Sequence, residues 1–205
     1  MKTRASFVVL ALALPLSPLL LPGCSFLKAR SDPTRYFVLT SAEPTAPVTP
    51  ASIVVGVEHL ELPEYLRRPE LVTRTAENQL AISEYDRWGE PLKDGFARTL
   101  RRDLENQLGT GHVVAAPFDP TNRPGLTLDI EVRRFERVGN AEAVLDARWT
   151  IRDGKSGAEL ETRDSRQRAP LPAADPNATV VALSHALTAF ASEIGAALVE
   201  KAKRH

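Results

Sequence analysis

The 205-residue chain holds a single cysteine, Cys24, a single methionine and four histidines. One cysteine cannot close an internal disulfide, which excludes the disulfide-stapled class of small exported domains. His59, His112, His185 and His205 stand in no metal-ligand spacing with one another or with Cys24, so no metal site is expected. Phosphate-binding glycine loops, dinucleotide fingerprints and the Gly-x-Ser-x-Gly elbow are missing as well. Ser184-His185 are sequence neighbours on a predicted helix, whereas a nucleophile and its base are brought together by tertiary structure. Asp129 and Glu131 share a strand face, as carboxylates on any solvated strand do. An excess of charge is also lacking, with 26 Lys and Arg against 26 Asp and Glu. Lys2 and Arg4 precede an apolar N-terminal run; without them 24 basic residues face 26 acidic ones, a net of −2. Nucleic-acid binding needs a basic footprint, so that class is set aside. The doublets Arg67-Arg68, Arg101-Arg102 and Arg133-Arg134 have carboxylates nearby and read as mixed-charge surface. No cofactor and no catalytic constellation are therefore expected. An enzyme whose groups converge from distant segments stays open as a lesser alternative.

Aromatic residues make up only 6% of the chain, yet Tyr65, Tyr85 and Trp88 cluster between Pro63 and Pro91, with Tyr36 earlier. They either pack beneath that segment or form a partner-binding edge, where aromatics and arginines are enriched.

What is present begins with a leader. Lys2 and Arg4 form a positive n-region, and Phe7 to Leu21 is an apolar stretch of about 15 residues, too short for a membrane span of about 20. It ends in Leu21-Pro22-Gly23-Cys24, which resembles the lipobox of bacterial lipoproteins. That resemblance implies cleavage before Cys24 and a thioether lipid on its sulfur, which would also mask an otherwise odd thiol. Two or more acyl chains make anchoring effectively permanent. Ser25 at the next position implies, in such families, transfer to the outer membrane. An ordinary secretory signal or an uncleaved anchor is the alternative. The expected organisation is a signal peptide over 1–23, a lipidated tether over 24–34 and one domain over 35–205.

Within that domain the hydrophobic period changes twice. Strands are expected at Arg35–Thr40, Ile53–Leu60, Glu70–Thr75 and Gln79–Trp88, the last two as a hairpin through Glu77-Asn78. Ser41 to Ala51, with Pro44, Pro47 and Pro50, reads as an extended surface loop. From Pro91, Leu92, Phe96, Leu100, Leu104 and Leu108 recur every four residues and predict an amphipathic helix closed by Gly109. After a short strand at His112–Phe118, Leu126 to Arg133 alternates apolar and polar. Turns at Val138–Asn140 and Asp153–Gly157 extend it into a three-stranded meander through Ala141–Arg152 and Ala158–Arg168. A second helix follows, with Asp175 as N-cap, Pro176 at its first position and an apolar seam of Val180, Leu183, Leu187, Phe190, Ile194 and Leu198. The fold class is α+β: a mixed, largely antiparallel sheet of six to eight strands with two amphipathic helices packed on one face.

Three stretches together resemble one family: Arg35-Tyr36-Phe37-Val38-Leu39; Val55-Gly56-Val57 running into Leu62-Pro63-Glu64-Tyr65-Leu66-Arg67-Arg68-Pro69 and on to Arg74; and Leu80 through Tyr85-Asp86-Arg87-Trp88-Gly89-Glu90-Pro91-Leu92. The chain is similar to the auxiliary lipoproteins of ABC-type and mammalian-cell-entry (MCE) lipid transport systems, the PqiC group. The resemblance implies a non-enzymatic periplasmic component, tethered to the outer membrane, that works with an MCE-domain protein forming a lipid conduit. A homo-oligomer is a secondary expectation. Tyr65, Arg68, Tyr85, Arg87 and Trp88 are the candidate partner-binding residues, though shared positions could equally serve the fold. An envelope-assembly lipoprotein without a transport role is the second reading.

Overall fold

In the computed structural model the described residues are 31–43, 54–109, 111–119 and 121–204. The leader, Cys24, Ser25 and most of the proline-rich loop expected at 41–51 lie outside them. The chain divides into two compact units, Met1–Asp32 and Pro33–His205, and the second holds every strand and helix described.

That unit is one mixed sheet of eight strands with two helices, in the order β1 (Arg35–Phe37), β2 (Val55–Glu61), β3 (Glu70–Ala76), β4 (Gln79–Trp88), α1 (Leu92–Leu108), β5 (Val113–Ala115), β6 (Leu126–Val138), β7 (Glu142–Asp153), β8 (Glu159–Pro170) and α2 (Pro176–Ala202). β6, β7 and β8 form the expected antiparallel meander. Its second turn closes because the Asp153 carboxylate accepts from the amides of Lys155 (3.1 Å) and Ser156 (2.6 Å), while Gly157 takes a positive φ of 72°.

The other edge of β6 is shared. β2 runs parallel to Leu126–Glu131 and β3 parallel to Arg137–Val138, so both follow the same edge one after the other. Between them the chain leaves the sheet, passes through a 3-10 turn at Glu64–Leu66, and returns at Glu70. Pro63 and Pro69 bracket this excursion, and neither has an N–H to give a ladder.

β1 is shorter than the Arg35–Thr40 strand expected from the sequence. It pairs parallel with the end of β4, Tyr36 opposite Arg87 and Phe37 opposite Trp88, and then turns away. Hydrogen bonds from the helices redirect it: Arg98 donates to the Leu39 carbonyl (3.0 Å), and the Ala42 amide donates to Asp103 (2.9 Å). Leu39 is thereby drawn into the core, 2% exposed. The fifth strand is also shorter than expected, three residues rather than seven.

Both helices lie on one face. The five-residue seam of α1 and the whole apolar seam of α2 are buried. Phe96 of α1 joins the layers, its ring 5.2 Å from Phe135 on β6 and 6.5 Å from Phe190 on α2, both edge-on. Asp175 caps α2 by accepting from the Ala178 amide at 2.8 Å, with Pro176 at the first position. α2 is long and apolar enough to cross a membrane, but 61% of that stretch is buried in the domain, as in a core helix. On the sheet side of α2, Glu193 accepts from the Trp149 indole (3.1 Å), Ser165 (2.6 Å) and Gln167 (2.8 Å), so its half-buried carboxylate is satisfied. The opposite face of the meander carries a ladder of charge pairs, among them Arg148 with Asp164, Arg152 with Asp129 and Arg166 with Asp146.

Candidate functional site: a cleft between two motif segments

The excursion between β2 and β3 and the connection from β4 to α1 face each other across a cleft of about 730 Å³. Leu62, Leu66 and Pro69 form one wall; Trp88, Pro91 and Leu92 form the other. These belong to the two segments that carry the family resemblance, and the fold brings them together. The Trp88 amide donates to the Pro69 carbonyl at 2.6 Å, which fixes the spacing of the walls at their base.

A buried charge cluster on the far side of β3 and β6 holds the excursion in place. The Glu136 side chain is fully buried; Arg74 pairs with it, and Arg134 donates to it at 3.1 Å. The Tyr65 ring lies over this pair, with the Arg74 guanidinium carbon 6.0 Å from its centroid, and its hydroxyl donates to the Arg133 carbonyl at 3.4 Å. Burial first, and then the neighbouring Glu136 carboxylate, push the Tyr65 phenol pKa well above its ordinary value. Tyr65 is therefore a protonated anchor beneath the loop, with its ring packed against the core.

The other candidates divide between wall and surface. Trp88 is 8% exposed and is a wall of the cleft, not a free contact side chain. Arg68 lines the cleft, and its buried Nε has no hydrogen-bond partner. Arg87 faces Glu70 across the β3–β4 pairing, 3.8 Å away. Tyr85 is 39% exposed and Tyr36 65% exposed, so these two are surface aromatics. Arg68 and Trp88 thus meet at the cleft, while Tyr65 supports its rear. Leu62, Leu66 and Lys93 also line it but were not singled out from the sequence; Leu66 and Lys93 are 27 positions apart and only the fold makes them neighbours.

Nothing in this arrangement is a catalytic constellation. Ser184 accepts from the Thr40 amide at 3.2 Å and is buried, whereas His185 is exposed. Among the described residues no group of three His, Cys, Asp or Glu side chains is placed to hold a metal.

A mixed eight-stranded sheet with two helices is a fold already seen in crystal structures. A Xanthomonas campestris protein of the DUF330 family shares it at a TM-score of 0.72 and 18% identity, over 83% of this chain and 98% of that one. An uncharacterized protein shares it at a TM-score of 0.63 and 20% identity, over 75% of this chain and 99% of that one. At the sequence level the family described as ABC-type transport auxiliary lipoprotein component matches residues 37–195, and the chain belongs to that family. It is a transport-associated lipoprotein, and its family is an auxiliary component, not a catalytic one. A comparison with curated proteins finds no match.

Proposed function

We propose that this chain is a periplasmic lipoprotein anchored to the outer membrane through lipid on Cys24, and that it docks an MCE-domain conduit there without turnover of its own. The family match over residues 37–195 carries the transport part of this reading. The leader, the Leu21-to-Cys24 segment and Ser25 support the anchor and its membrane. Exposed Tyr85 on β4, close to Arg87, supports a docking edge beside the cleft, since aromatic and arginine side chains are favoured at interface centres.

The test is capture of the lipidated protein by the purified periplasmic region of the MCE partner. Binding should fall in a Tyr85→Ala, Arg87→Ala double variant whose unfolding midpoint is unchanged. Undiminished binding would move the contact elsewhere on the domain. No binding by the folded wild-type protein would leave the envelope-assembly reading. Intact mass of the membrane-extracted protein checks the anchor: an unmodified mature N-terminus at Ser25 or beyond would remove it.

A further inference from the structure

The cleft combines two surfaces that favour different things. Its walls are Leu62, Leu66, Trp88 and Leu92, while its rim carries Arg67, Arg68, Lys93, Glu90 and Asp94. Some of that charge is already committed. Arg67 pairs with Glu64 at 3.0 Å, and Glu90 pairs with Arg98 at 2.6 Å. Among the described residues Arg68 and Lys93 have no carboxylate partner, and the Arg68 Nε is buried without any hydrogen-bond acceptor. Asp94 is exposed in the first turn of α1 and is the one rim carboxylate left unpaired, so the uncommitted balance is one positive charge.

We propose that this cleft holds the headgroup and one acyl chain of an anionic phospholipid, the chain against Leu66, Trp88 and Leu92 and the phosphate between Arg68 and Lys93, while its second chain stays outside. Free phosphate would gain nothing from the apolar walls, and a neutral hydrocarbon would leave the buried guanidinium nitrogen unpaired. The volume lies within the range of about 300–1,000 Å³ typical of ligand pockets. Membrane proximity argues for lipid over peptide. β1, the first strand after the tether, ends beside Trp88, and the Gly89 amide donates to the Phe37 carbonyl at 2.8 Å. Arg35 follows Cys24 by 11 residues, at most roughly 40 Å of extended chain, so a lipid on Cys24 keeps the cleft within reach of the bilayer. The inference rests on the anchoring proposed above and adds a ligand to the docking role.

Trp88 reports on the cleft directly, because the second tryptophan, Trp149, is fully buried elsewhere in the domain. The lipidated protein is reconstituted in phosphatidylethanolamine vesicles containing either acyl-brominated phosphatidylglycerol or acyl-brominated phosphatidylcholine. The expected result is quenching by the anionic lipid, absent in Trp88→Phe and unaffected by free inorganic phosphate. Arg68→Glu with Lys93→Glu, both outside the core, should lower the apparent affinity by roughly tenfold or more. Equal quenching by the two brominated lipids, no quenching, or quenching indifferent to the charge reversals would each overturn the proposal. Partner capture is measured on the same double variant. Loss of capture without any lipid quenching in the wild type would make the cleft a protein socket and overturn the lipid assignment. Retained capture with lost quenching supports it and leaves docking to another surface.

Discussion

Where β6, β7 and β8 run together, nearly every residue of β7 has a partner on both sides, and the face beneath is sealed by α2. Around β1 to β4 the ladders are short, the register slips within β3 and β4, and the chain leaves the sheet between Leu62 and Pro69. One half is stabilised by apolar area and long pairing. The other adds to its share of the core a few polar fastenings, chiefly Glu136 with Arg74 and Asp103 with Ala42. The cleft lies in the second half, as expected if binding surfaces come from the less uniformly stabilised parts of a fold.

The comparison is easiest to break at Phe190. Its ring is fully buried where α2 meets α1, and Phe190→Ala should cost about 3–5 kcal/mol in urea unfolding. A smaller loss would mean that the α2 seam is not the main support. Glu136→Ala should come next. Removing one partner of a fully buried pair costs about 3–5 kcal/mol, but Arg74 and Arg134 are 19% and 31% exposed and can rehydrate, so about 2–3 kcal/mol is expected. Hydrogen exchange should then quicken in residues 63–69 and stay slow in β7; equal acceleration in both would erase the distinction between the halves.

Acid should separate two other fastenings by sign. Burial outweighs the bonds from Thr188 and Ala42 and raises the Asp103 pKa above its ordinary 3.8. Its stabilising contribution is full below that value and is lost as pH rises through the raised one. Glu161 is held below its ordinary 4.5, first by Lys201, so its contribution is present above 4.5 and lost as pH falls. Asp103→Asn should flatten a decline in stability with rising pH, and Glu161→Gln should flatten a decline with falling pH. Urea midpoints across the acid range measure both, and slopes of the same sign would refute one assignment. The smallest effect is expected at Arg148, whose pair with Asp164 is exposed: Arg148→Ala should leave the unfolding midpoint where it was.

The meander and both helices were legible because local pattern and tertiary role coincide there. Leu126, Leu128, Ile130 and Val132 alternate and are all buried; Asp175 reads as a cap and is one. The end of β1 was not legible, since Val38 and Leu39 are strand-forming residues and the bonds that redirect them come from Arg98 and Asp103, some 60 positions later. Glu136 was hidden for a related reason. It has the look of one more solvated carboxylate on an alternating strand, and only the return of β3 brings Arg74 against it. At the site, the two motif segments were visible but their meeting was not. Of the aromatics singled out, Tyr65 and Trp88 pack within the domain, whereas Tyr36 and Tyr85 stay on its surface.

The three-residue span of β1 has a mechanical consequence. Tension applied through the N-terminus enters the domain at Arg35 and is borne first by a parallel pairing that ends at Phe37. Behind it, the Thr40 bond to Ser184 and the Ala42 bond to Asp103 tie the segment after β1 to both helices. A pull would therefore strip β1 from β4 and loosen the cleft wall at Trp88 before it reached the core, so that part would yield first, at forces the meander would not register.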